Sequence, residues 1–178
     1  MPVTARPHRS FLGLATFAAI YLALYAAYMG IPDRWLVEQA YFHAIVGPGA
    51  AAIHALVAAE PVQAVGNRLV SGDSTIEIVR GCDGAGVLFL ILAAMAAVAA
   101  MRRATPRATL WGMLGALAAV WAVNQARVVT LYFAVTRHPA WFVPLHTLVF
   151  PTLFVLLGLA YFTLWSAGSV GRGSPPAA

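Results

Sequence analysis

The sequence predicts an all-α, polytopic membrane helix bundle with about four transmembrane helices and amphipathic helices on its outer face. Three observations predict it. Of 178 residues 61% are apolar and only 10% charged, with a mean hydropathy of +0.79. A soluble globular domain is about 45–50% apolar and about 25% charged, so these side chains need a solvent other than a protein core. Four stretches approach the roughly 20 apolar residues that cross about 30 Å of hydrocarbon. The charged residues, finally, fall in short clusters between those stretches.

The same numbers exclude other classes. All eleven basic residues are arginine and bring the net charge to +5, but they do not line one solvated face interleaved with aromatics, so no nucleic acid is expected as a partner. They read instead as topology markers. Cys82 is the only cysteine, which rules out a disulfide framework within the chain.

The elements follow in order within a single domain at 1–166. The first span, 11–31, follows Arg6 and Arg9 and is too long for a cleavable signal's apolar region of about 7–15 residues, so it is expected to remain as an anchor. An outer amphipathic segment occupies 32–82. Within it Trp35 to Ala59 reads as two short interfacial helices separated at Gly47-Pro48-Gly49, because proline lacks a donor and glycine loosens the backbone. Ser74 to Val79 alternates weakly like a short strand, with Gly72 and Asp73 marking the turn before it. The remaining spans are 83–101, 109–136 and 145–166. The Gly-, Ser- and Pro-rich residues 167–178 are expected to form a disordered cytoplasmic tail.

Sidedness follows from arginine bias in short loops. Arg6, Arg9, Arg102, Arg103, Arg107 and Arg172 belong inside, so both termini are cytoplasmic. The stretch 32–83 carries all six acidic residues against Arg34, Arg68 and Arg80, a net charge of −3, and belongs outside.

Three unusual residues then fall near one depth. Cys82, in Arg80-Gly81-Cys82-Asp83-Gly84, opens the second span, where free helix N–H groups favour an anion such as a thiolate. Read alone, such a cysteine is more often a small buried hydrophobe. Arg127 lies inside the third span, about 14 Å from its outer end, where an arginine normally faces a partner or a wet cavity. Asn124 shares its helix face. His146 opens the fourth span. A thiol, a proton carrier and a cation at one site are the parts that acyl transfer needs. An interhelical clamp made by Arg127 and Asn124 is the competing reading, in which the chain is a small noncatalytic membrane subunit holding partner helices. His43, His54 and His138 read as boundary residues, no two histidines have metal-ligand spacing, and no metal or cofactor is implied.

The ordered set Cys82-Asp83-Gly84, Asn124-Gln125-Ala126-Arg127 and His146, on consecutive spans, resembles the exosortase/archaeosortase family, and within it the short type such as exosortase H. The resemblance extends over roughly Pro61 to Ser166. It implies an integral-membrane cysteine transpeptidase or peptidase in the bacterial plasma (inner) membrane, with its active site facing the periplasm. Its partners would be the lipid bilayer and exported proteins that end in a short motif, a transmembrane helix and a basic tail. Cys82, Arg127 and His146 would then be catalytic through a thioester intermediate, with Asn124 supporting Arg127. One departure is Asp83, where relatives often carry Ser or Asn. A carboxylate beside a thiol opposes its ionisation, so Asp83 is expected to point away, cap the helix or pair with Arg80.

Overall fold

The computed structural model describes residues 7–72, 74–102 and 104–170. Arg6, Arg103, Arg172 and Asp73, four of the residues used in reading sidedness and turns, lie outside the described residues, as does 171–178 of the expected tail.

Four helices are long and apolar enough to cross a membrane. They are α1 (Pro7–Met29), α4 (Ala85–Arg102), α5 (Pro106–Arg137) and the helix ending in α7 (Phe150–Val170). The four expected spans agree with them to within a few residues, except that α7 runs through Val170, so 167–170 are helical rather than tail. α1 packs on α4, while α4, α5 and α7 pack on one another. At one end of the bundle Gly13 meets Met101 and Gly112 meets Trp165. That end therefore gathers the start of α1, the α4–α5 loop and the end of α7. Small residues let the helices approach: Tyr161 reaches over Gly115 and donates to the Gly112 carbonyl at 2.6 Å. Ile91, Met95, Ala116, Val120 and Phe154 fill the core between them.

A second core caps the opposite end. Here α2 (Asp33–Trp35), a π-helical stretch (Leu36–Val46) and α3 (Gly47–Leu56) run without interruption. They are followed by an antiparallel meander of β1 (Gln63–Val65), β2 (Arg68–Ser71) and β3 (Ser74–Glu77) in the order β1-β2-β3. Ile45, Ile53, Leu69, Ile76, Leu131 and Tyr132 form its buried centre. Glu60 ties the connection after α3 to the outer end of α5, accepting from Tyr132 at 2.8 Å and Arg137 at 3.1 Å.

The expected break at Gly47-Pro48-Gly49 does not occur: one continuous helix replaces two short ones. Pro48 has no N–H to give the Ala44 carbonyl, its acceptor in an α-helix. That carbonyl is instead taken by Trp121 Nε1 at 2.7 Å and Gln125 Nε2 at 3.0 Å from α5. The tertiary contact supplies what proline removes, and it fixes this helix against the outer half of α5. Replacing both donors (Trp121→Phe with Gln125→Leu) should destabilise the fold by about 1–3 kcal/mol, the net worth of two hydrogen bonds at about 0.5–1.5 kcal/mol each. The loss should shrink when Pro48→Ala restores a local donor; thermal unfolding in detergent reads both.

Helix lengths set the heights. α4 has 18 residues, about 27 Å, which matches the hydrocarbon thickness. Its beginning at Gly84 sits opposite Val120 and Asn124 of α5. From there α5 continues to Arg137, about 20 Å further, into the outer core. Arg127 is therefore about one turn beyond the level at which α4 begins, where it faces Cys82 and His146 rather than the packed middle of the four helices.

Candidate active site

The residues Gly81 to Gly84 turn the chain from β3 into α4. Gly81 and Gly84 both have positive φ, at 86° and 82°, a region that side chains with a Cβ rarely adopt. A Cβ on Gly84 would stand in ordinary contact with Val120 and Asn124, so it is the positive φ that calls for glycine there. The two glycines thus bracket Cys82 and Asp83 and hold the thiol over α5. Cys82 itself is half-buried, with its N–H bonded to the Val79 carbonyl at 3.0 Å.

Asp83 resolves as a helix cap. Its Oδ1 accepts from the Ala85 N–H at 3.1 Å. Its Oδ2 accepts from the hydroxyls of Tyr28, at the end of α1, and Tyr41, the latter at 3.1 Å. The carboxylate is thereby committed away from the thiol. Burial and the neighbouring Asp83 charge push the Tyr41 hydroxyl up to about 12, so it remains a donor. Arg80 is not its partner: the guanidinium binds Asp33 at 2.9 Å and the Tyr28 and Ile31 carbonyls, closing the outer end of α1 against the loop. Tyr28 and Tyr41 were not legible as site supports, because they lie far away in sequence and carry no local pattern.

Cys82, Arg127 and His146 converge. Cys82 Sγ lies 3.9 Å from His146 Nε2. Arg127 Nη1 donates to the Cys82 carbonyl at 3.2 Å, and Nη2 is 3.3 Å from His146 Nδ1. One guanidinium fork thus touches both the Cys82 main chain and the His146 ring. His146 sits on a π-helical turn (Leu145–Val149) preceded by α6 (Phe142–Pro144) and a 3-10 turn (Pro139–Trp141). Like the earlier π stretch, this turn ends two residues before a proline, Pro151. Phe142 stacks on its ring at 5.4 Å and 14°, one helical turn away. That spacing of four was a readable signal for a ring support.

Asn124 joins the three only by proximity along α5. It is 2% exposed, lies against Gly84, and makes no hydrogen bond to Arg127; its Oδ1 has no protein partner. The expected orienting role is replaced by a packing role at the start of α4. Arg127 is likewise 7% exposed and turned toward Cys82 and His146. Neither side chain faces outward, where a clamp on a partner helix would need it. His54 bonds the Val62 carbonyl at 3.1 Å and His43 packs on Phe42, as boundary residues do. Among the described residues no His, Cys, Asp and Glu side chains gather into a metal-binding group.

Cys82, Arg127 and His146 line a cavity of about 220 Å³ between β3 and α5. A thiol, an imidazole and a guanidinium thus share one cavity of a helical bundle with four helices long and apolar enough to cross a membrane. The family described as Transmembrane exosortase (Exosortase_EpsH) matches residues 8–163. This chain belongs to the transmembrane exosortase family. No curated protein and no solved structure matches it.

Proposed function

We propose that the protein is a cysteine transpeptidase or peptidase that cleaves C-terminal sorting signals of exported proteins. The observation that carries the reading is the contact of Cys82 Sγ with His146 Nε2, with Arg127 bridging both residues. In this reading a precursor is held by its own C-terminal membrane helix, and the motif before that helix enters the cavity. As substrate enters, Arg127 turns from Nδ1 to the scissile carbonyl oxygen, so that the ring hydrogen sits on Nδ1 and the Nε2 lone pair takes the thiol proton while Cys82 Sγ attacks the carbonyl carbon. The oxyanion is stabilised by Arg127 and by main-chain N–H groups at the start of α4. The Ala85 N–H is already used by Asp83, which leaves Gly84 and Gly86 as main-chain candidates.

As the C–N bond breaks, its electron pair takes the proton from Nε2 and the new amine departs, leaving a thioester on Cys82. An acceptor amine or water then attacks the thioester, passing its proton through His146 back to the sulfur. In this reading the protein lies in the inner membrane with its site on the periplasmic side; the arginine bias supports that sidedness, with both termini cytoplasmic.

The test is co-expression with an exported precursor that ends in a short motif, an apolar span and an arginine cluster. Mass spectrometry should find the mature chain shortened ahead of the apolar span and, under acid quench, its acyl group on Cys82. A membrane-impermeant maleimide added to intact cells should label Cys82. A thiol labelled only from the cytoplasmic side, or a precursor left full-length, would overturn the reading.

A further inference from the structure

We infer that the substrate binds as a fourth strand along the free edge of β3, held by main-chain hydrogen bonds. This rests on the proposed transpeptidase reading and adds how the peptide is gripped. In the sheet order β1-β2-β3, β3 pairs only with β2. The register settles which of its main-chain groups are free. Two residues separate Ser71 from Ser74, so that pair closes the hairpin and is hydrogen-bonded; hydrogen-bonded and non-hydrogen-bonded pairs then alternate. The Ile78 N–H bonding the Asn67 carbonyl at 2.8 Å keeps the same parity. Thr75, opposite Val70, and Glu77, opposite Arg68, are therefore the non-bonded positions, with N–H and C=O pointing away from β2.

These groups meet the catalytic cavity. It is lined by Thr75, Ile76, Glu77 and Ile78 together. Successive strand side chains point to opposite faces, so a space that touches four in a row touches the strand's edge. The same cavity contains Cys82, Arg127 and His146, and its far wall is apolar, formed by Val128 and Leu131 of α5 and by Phe142. An extended peptide pairing with Thr75 and Glu77 has its main-chain bonds two residues apart and turns every second side chain toward that wall. The substrate class is thus an extended peptide with an apolar residue at alternate positions, its scissile bond at the catalytic end of the strand.

The test uses the full-length protein in lipid nanodiscs and peptidyl chloromethyl ketones, whose chloride leaves as Sγ forms the C–S bond. Acetyl-tetra-alanyl chloromethyl ketone should alkylate Cys82 about tenfold or more faster than the acetyl-alanyl reagent, since two added main-chain hydrogen bonds correspond to about that factor. N-methylating single amides of the longer reagent should remove the advantage at alternate positions only. Thr75→Pro, which deletes an outward N–H at an edge where proline is tolerated, should lose the advantage while iodoacetamide still labels Cys82 at the wild-type rate. Absence of a length effect, N-methylation without period two, or a Thr75→Pro protein that keeps its preference would overturn edge binding. Those outcomes leave Cys82-dependent precursor processing intact, whereas failure of the transpeptidase reading appears as processing that does not need Cys82. If Thr75→Pro does not fold, the N-methyl series on the wild type decides.

Discussion

Cys82→Ala should abolish precursor processing, by at least about 10³-fold, with the protein still inserted and folded. The side chain is half-buried, and its main-chain contacts, the N–H to Val79 and the carbonyl to Arg127, remain in the variant. Removing one sulfur from this loop leaves no buried polar group without a partner, so the unfolding temperature should change little. Cys82→Ser should be nearly as inactive, because a hydroxyl is far less acidic than a thiol and the 3.9 Å gap to His146 is too long for a hydroxyl–imidazole hydrogen bond. The measurements are gel or mass detection of the shortened product beside thermal unfolding of the purified variant. Processing that continues in Cys82→Ala would end the thiol mechanism. Loss of the protein from the membrane would make Cys82 a structural residue.

Arg127→Ala should lower processing by about 10² to 10³-fold, the usual consequence of deleting an electrostatic donor at an oxyanion. It also releases the Cys82 carbonyl and His146 Nδ1 at once, so the loss of activity should include a misplaced proton carrier. Arg127→Lys is the informative control. A lysine supplies charge but only one ammonium, and it cannot reproduce the two-pronged contact to Cys82 and His146. It should therefore retain the fold and stay at least about tenfold below wild type. Two readouts separate catalysis from scaffolding: the unfolding temperature and the rate at which a small alkylating reagent labels Cys82. If Arg127 only braced the bundle, Arg127→Lys would restore processing in step with the unfolding temperature.

Helices and spans were open to reading because a bilayer imposes them on local sequence. An apolar run must be about 20 residues long, and arginines bias a loop to the inside, so composition within one window suffices. Cys82, Arg127 and His146 were legible for the same reason: each stands out against an apolar background at the opening or within a span. The outer cap was less readable. Ser74 to Val79 showed its alternation, but β1 and β2 are strands of three and four residues with little pattern of their own, and exist because they pair with a neighbour. The continuity through Pro48 depends on donors from Trp121 and Gln125, more than 70 residues away. No local rule could anticipate it.

By itself, then, the sequence determined a membrane bundle of four spans, an arginine bias between its two ends, and three side chains that stand out near one of those ends. Only the tertiary structure decided that Arg127 rises above the start of α4, that Asp83 turns to Tyr28, Tyr41 and the Ala85 N–H, and that Asn124 packs on Gly84. It also decided that β3 offers an open edge to the cavity. Apolar length and charge are properties of a single segment in a solvent, whereas height, hydrogen-bond partnership and a shared cavity are relations between segments, set by how the helices pack.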